Sequence, residues 1–219
     1  MSKPENAEEL DAISLLRKVK PRTENHAEYV LAMQEETITL CSGPGGTGKT
    51  ALAVYQACMA LANRKVKHII LTRPLVQVDE DTGALPGDLN EKLHPYMIPL
   101  RTELESILTP KTVRYLMSKG IIEFAPLAYM RGRTFNDSFV ILDEAQNATY
   151  GQLKMFLSRI GLNSKMVVNG DTDQNDIAEG SGFVSVIERL YGCPGVAACE
   201  MTEDDNMRHA IVKQVLRRL

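Results

Sequence analysis

At 219 residues, 44 % hydrophobic and 24 % charged, the chain is long enough to bury a real core, and it lacks the roughly 18 unbroken apolar residues of a membrane span. A net charge of −3 argues against a dedicated duplex-DNA binder, which draws its affinity from a large cationic excess; any nucleic-acid contact would be local or shared among subunits. The polar, acidic start MSKPENAEELDA carries no secretory or transit pattern, and Cys41, Cys58, Cys193 and Cys199 have no metal-ligand spacing, so a cytoplasmic protein with reduced thiols and no membrane contact is expected.

In chain order, residues 1 to about 36 read as polar with one helix; 1–20 form an N-terminal extension to a single domain over 21–219. A β-rich run at 37–41 leads into a glycine loop, a helix over about 48–63 and a strand at 68–72. Residues 73–90 read as a long loop, punctuated by Pro74, Gly83, Pro86 and Gly87 and acidic at Asp79, Glu80, Asp81 and Asp88. Helical patterns follow near 91–107 and 110–118, the second stopped by Gly120. Strands are expected at 121–124, 139–142, 166–169 and 196–199, with helices near 148–160, 180–191 and 207–218. Nearly all-apolar strands alternating with helices predict a mainly parallel sheet covered on both faces. Strand order does not follow from periodicity.

The glycine loop, Gly43-Pro44-Gly45-Gly46-Thr47-Gly48-Lys49-Thr50, fits G-x-x-x-x-G-K-[ST] in full and runs straight into Ala51 and the helix. Glycines let successive backbone N–H groups turn inward on anionic oxygens, and the helix start adds a favourable dipole. Lys49 would reach the β and γ phosphates of ATP, and the Thr50 hydroxyl would hold Mg²⁺. A Gly-rich turn that merely caps a helix is the plain alternative; the strand before and the long helix after favour the cradle.

Holding a phosphate is not hydrolysing it. In Phe139-Val-Ile-Leu-Asp-Glu-Ala-Gln146 an apolar strand ends on Asp143, suited to Mg²⁺ or its water shell, and on Glu144, suited to polarise an attacking water. Two solvated acids at a strand end are the ordinary reading. In Val167-Val-Asn-Gly-Asp-Thr-Asp-Gln174 a further strand ends in polar residues, and the Gln174 amide could sense a γ-phosphate or orient water. Three strand ends that each deliver such a group would place the ligand at the carboxyl edge of the sheet.

From about residue 20 to the C-terminus the chain resembles the PhoH-like P-loop ATPases, through GPGGTGKT, LTRPLVQVDEDTGALPGDLNEKLHPYMIPL, APLAYMRGRTF, FVILDEAQN, KMFLSRIG and the GD-x-x-Q cluster. That family is in turn similar to the first motor domain of superfamily 1 helicases, which share the DE-x-Q form (Asp143, Glu144, Gln146) and GD-x-x-Q (Gly170, Asp171, Gln174). The resemblance implies a RecA-like fold, ATP binding and hydrolysis, and a homo-oligomeric ring, a hexamer being favoured. It departs from helicases in leaving no residues for a second motor domain, and in placing His26 where an adenine-side glutamine would be sought.

Three further arginines are candidates for nucleic-acid or intersubunit contacts, and a fourth for an arginine finger. Arg73 ends the second strand, near the nucleic-acid path by the helicase analogy, or is a surface arginine before a turn. Arg131 and Arg133 flank Gly132 and could hold a phosphate of ATP, of a neighbour's ATP or of a nucleic acid. Arg208 is the candidate arginine finger, offered to a neighbouring subunit; alternatively it pairs with the acids at 203–205. The leading expectation is Mg²⁺-dependent ATP hydrolysis coupled to single-stranded RNA or DNA. The rivals are a P-loop kinase of a small molecule or nucleotide, and a non-hydrolysing assembly scaffold.

Overall fold

The computed structural model describes residues 17–75, 89–172, 174, 181–209, 211, 212, 215 and 218, with only the backbone over 89–95. The expected acidic loop at 79–88 and much of the expected helix at 207–218 lie outside the described residues. Chain order is α1 (Glu24–Glu35), β1 (Ile38–Ser42), α2 (Lys49–Ala62), β2 (His68–Thr72), α3 (Leu89–Ile107), α4 (Pro110–Ser118) and β3 (Ile122–Phe124). Then come a 3-10 turn (Leu127–Met130), β4 (Ser138–Leu142), a second such turn (Ala145–Asn147), α5 (Tyr150–Leu157), β5 (Lys165–Asn169), α6 (Phe183–Leu190), β6 (Val196–Glu200) and a third turn (Glu203–Asp205).

Helix starts show how local chemistry sets these boundaries. Thr23, Thr109 and Thr149 each accept a backbone N–H three residues on, capping α1, α4 and α5; α4 adds Pro110 at its first turn, and α5 a full capping box with Gln152. The start of α2 differs: its cap is Gly48, which offers no side-chain acceptor. α5 ends at Leu157 instead of running to 160, because Phe135 N–H takes the Arg159 carbonyl and Gly161 N–H takes that of Phe135. That pairing draws the chain out of the helix and into a short parallel bridge, Phe135 with Ile160.

The six strands form one parallel sheet in the order β3-β2-β4-β5-β1-β6. Alternate residues feed two cores. Cys41, Ile69, Leu71, Phe139, Ile141 and Val167 face α1–α4, among Tyr29, Leu52, Leu100 and Leu116. Leu40, Ile70, Val140, Leu142, Met166 and Val168 face α5 and α6, among Leu153, Phe156 and Phe183. Burial on both faces is why the inner stretches of β2, β4 and β5 are apolar at consecutive positions. Among the described residues no helix is long and apolar enough to cross a membrane, and all four cysteines are free thiols.

Candidate functional site

The strand order does for the site what the sequence could not. β5 lies between β1, which leads into the glycine loop, and β4, which ends at Asp143. Cys41 is in register with Asn169, and the Gly170 N–H bonds the Cys41 carbonyl at 3.0 Å. Parallel strands put all three carboxyl ends on one edge. They border a cleft of about 400 Å³ lined by Gly45 to Ala51, Glu103, Asp143, Glu144, Asn169 to Asp171, Gln174, Met207 and Arg208.

Gly43 begins the loop at φ 134°, a conformation L side chains avoid, and a Cβ there would run into the Met201 carbonyl. Lys49 folds back over the loop: its Nζ donates to the carbonyls of Gly43 (2.5 Å) and Pro44 (2.9 Å) and to Thr47 Oγ1 (3.3 Å). Burial pushes the Lys49 ammonium's pKa below its ordinary value, against the upward pull of the neighbouring acids. With α2 left uncapped by any side chain, the loop presents backbone N–H groups, a helix start and a cation at one point. That combination suits a polyanion.

Beside it stand the acids. Thr50 Oγ1 donates to Asp143 Oδ1 at 2.8 Å, although 93 residues separate them. An alcohol and a carboxylate oxygen are hard donors of the kind Mg²⁺ takes when substrate phosphates and water complete its shell. Among the described residues no group of three or more His, Cys, Asp or Glu could hold a metal by itself, so the fit is to a shared site, not a protein cage. Glu144 has φ 57°, a left-handed conformation that costs a non-glycine residue about 1 kcal/mol and is the sort of strain found at working sites. Its Oε2 accepts from Gln146 Nε2 at 2.7 Å, and Gln146 Oε1 accepts the Asp171 N–H at 2.9 Å. One buried glutamine therefore joins the end of β4 to the end of β5. Gly170 makes room for this, since a Cβ there would strike the Phe183 ring.

The arginines take partners that follow from the fold. Arg73 is turned into the cleft's acids: its Nε and a terminal nitrogen donate to Asp143 Oδ2 at 3.0 and 2.6 Å, and the same terminal nitrogen reaches Glu144 Oε1 at 3.1 Å. Because β2 lies next to β4, the last residues of the two strands meet, and two adjacent carboxylates attract the nearest guanidinium. Arg133 forks onto both oxygens of Glu123 at 2.6 and 2.7 Å and lies 4.9 Å from the Phe135 ring centre, at the β3 edge and outside the cleft lining. Arg131 is exposed nearby. Arg208 lies over its own chain's loop, with its side chain where a Cβ on Gly45 or Gly46 would fall. The Met207 N–H, bonded to the Gly46 carbonyl at 3.0 Å, fastens it there. The alternative pairing of Arg208 with the acids at 203–205 is absent among the described residues. Gln174 is exposed and lines the cleft.

Two features escaped the sequence reading. Glu103, from α3, lines the cleft, and burial together with Asp143 raises its carboxyl above the usual range. Asp205 is buried as a hub: its Oδ1 accepts from Thr23 Oγ1, and its Oδ2 from Asn25 Nδ2 (2.8 Å) and the Thr202 N–H (2.7 Å). Burial opposes the charge, yet these donors, Asn25 foremost, hold the carboxyl down at about 2. His26, 1 % exposed, places Nε2 2.8 Å from the Thr47 carbonyl while Nδ1 accepts the Arg22 N–H, so the neutral ring donates to the loop from Nε2. The start of α1, the 202–208 segment and the glycine loop are thus one hydrogen-bonded assembly.

Known proteins share this fold. The large terminase of a thermophilic bacteriophage aligns with a TM-score of 0.60 at 12 % identity, over 91 % of this chain and 50 % of the terminase. The same terminase in complex with ADP aligns at 0.55 and 13 %, over 90 % and 50 %. At such identities the likeness is one of fold: a RecA-like P-loop NTPase sheet. A PhoH-like protein of Bacillus subtilis (strain 168) is 47 % identical over 202 residues, 91 % of this chain and 63 % of that protein, so the chain spans under two thirds of its relative's length. The family model described as PhoH-like protein matches residues 18–219, and the chain belongs to that family.

Proposed function

We propose that this chain is a Mg²⁺-dependent ATPase that hydrolyses the triphosphate in the cleft described above and couples hydrolysis to single-stranded RNA or DNA. The observation that carries the hydrolytic half is the 2.8 Å contact of Thr50 with Asp143 beside Lys49, with Glu144 held by Gln146 at the adjoining position. Backbone N–H groups of Gly45 to Thr50 and the Lys49 ammonium bind and orient the phosphate chain. Thr50 and Asp143 would hold Mg²⁺, which when bound withdraws charge from the β and γ phosphates. Glu144 takes a proton from water attacking the terminal phosphorus, while the Gln146 amide, anchored on the Asp171 N–H, keeps the carboxylate from turning away.

Arg208, against its own Gly45 and Gly46, is positioned to neutralise the transferred phosphoryl charge within one chain. The coupling to nucleic acid, and assembly into a ring, rest on the family resemblance; of the three candidate contact arginines, exposed Arg131 is the one left to meet a backbone phosphate.

Phosphate release with Mg²⁺, with and without single-stranded RNA and DNA, tests both halves. Lys49→Ala should abolish turnover, and Glu144→Gln should lower it by about 10²- to 10⁴-fold while triphosphate still binds. Normal turnover in either would sink the site. Arg208→Ala should lower turnover with nucleotide affinity kept. Mixing wild type with Lys49→Ala chains should leave the activity per wild-type chain unchanged, whereas a finger acting between subunits would depress it.

A further inference from the structure

Asn169 closes β5, whose preceding residues Met166, Val167 and Val168 are all apolar and buried. An apolar side chain would continue that run at no cost in polar desolvation. Instead an amide sits there at 1 % exposure. Its Oδ1 accepts the Tyr29 hydroxyl at 2.6 Å, from a tyrosine on α1 that is itself fully buried. Its Nδ2 meets no acceptor among the described residues. A buried, unsatisfied amide N–H costs about 1–3 kcal/mol and calls for an explanation.

The explanation lies in where the residue stands. Asn169 lines the phosphate cleft, at the end of the strand flanked by β1 with its glycine loop and β4 with Asp143 and Glu144. A donor there lies between the group that holds the phosphates and the group that activates water. We propose that Asn169 Nδ2 donates to an oxygen of the terminal phosphate of a bound nucleoside triphosphate. Tyr29 is its positioning residue. By holding Oδ1, the phenol fixes the amide so that the NH₂ end, and not the carbonyl, is left for an anion. His26 and Tyr29, three residues apart on α1, bear on the Thr47 carbonyl and on Asn169, so one helix face braces both the loop and this sensor of the terminal phosphate.

The inference rests on the cleft being the nucleotide site, and its test separates the two ideas. Binding of ADP and of a non-hydrolysable ATP analogue, each with Mg²⁺, is measured by titration calorimetry on the full chain. Asn169→Ala should weaken the triphosphate about 10- to 100-fold, the range of one hydrogen bond to a charged group, while ADP affinity stays within about twofold. Tyr29→Phe, which removes one atom, should weaken the triphosphate by about 3- to 10-fold and add nothing in the Asn169→Ala background. If Asn169→Ala does not fold, Asn169→Asp keeps the volume and the acceptor for Tyr29 while exchanging the donor for an anion, and the triphosphate should again be lost selectively. Equal weakening of ADP and triphosphate, or an undiminished Tyr29→Phe effect in the double variant, would overturn the proposal. A wild type that binds neither nucleotide would overturn the cleft assignment and this inference with it.

Discussion

Two arginine–carboxylate pairs sit on the same sheet and differ in nearly everything but chemistry. Arg73 with Asp143 is enclosed, the side chains 17 % and 4 % exposed; Arg133 with Glu123 is open, at 35 % and 41 %. The enclosed pair is shared with Glu144 and flanked by Thr50, so its carboxylates serve several partners at once. The open pair is self-contained, a bidentate fork backed by Phe135. Burial and unequal partner number make the first an element of the site. Full mutual satisfaction makes the second a clasp between β3 and the segment after the first 3-10 turn.

Arg73→Ala should produce the largest effect, a loss of about 3 kcal/mol in denaturant unfolding, because a carboxylate would stay buried beside a second acid. Mg²⁺ should restore part of that loss, raising the variant's Tm more than the wild type's; no difference in Mg²⁺ response would break the link between Arg73 and the acids. Asp205→Asn comes next. The Asp205 carboxyl is depressed from 3.8 to about 2, so its stabilisation is complete above about pH 4 and drains away as pH falls toward 2. The variant should lose on the order of 1–2 kcal/mol at neutral pH, allowing for solvent screening, and show a flatter acid unfolding curve over that interval.

Arg133→Ala should cost about 1 kcal/mol or less and leave nucleotide binding unchanged. Should it equal Arg73→Ala, the contrast between the pairs is void. The smallest effect belongs to Glu103→Gln. Burial and Asp143 raise the Glu103 carboxyl, so its charged form opposes folding at neutral pH; the variant should gain a few tenths of a kcal/mol there. That gain should vanish below about pH 4, where the carboxyl is protonated folded or unfolded. A loss at neutral pH would show that Glu103 is held by a favourable partner.

What could be read from sequence was whatever a short stretch of chain decides alone. The glycine loop and the strand ending at Asp143 are local, and their elements lie within a few residues of expectation. The early end of α5 was not legible, because Phe135 is what ends it, more than twenty residues upstream. The partners of Arg73 were not legible for a similar reason: they depend on β2 and β4 being neighbours, and periodicity is silent on strand order. The place of Arg208 was not legible either. A backbone bond from Met207 to Gly46 puts it on its own loop, and no motif spacing reports a contact between such distant parts of the chain. Glu103 and Asn169 carried no signal by type, since one is an acid on an amphipathic helix and the other a polar strand end.

The same long-range fastening has a consequence for the order of events during synthesis. The glycine loop is complete as sequence once residue 50 has been made, yet β1 lacks one flanking strand until β6 emerges, and the loop lacks its brace until residues 205 to 208 follow. A ribosome-bound chain ending before residue 196 would hold the P-loop residues without the hydrogen bonds that β6 and the 205–208 segment supply. Competence to take a nucleotide should therefore arrive abruptly, only once residues 196 to 208 have emerged.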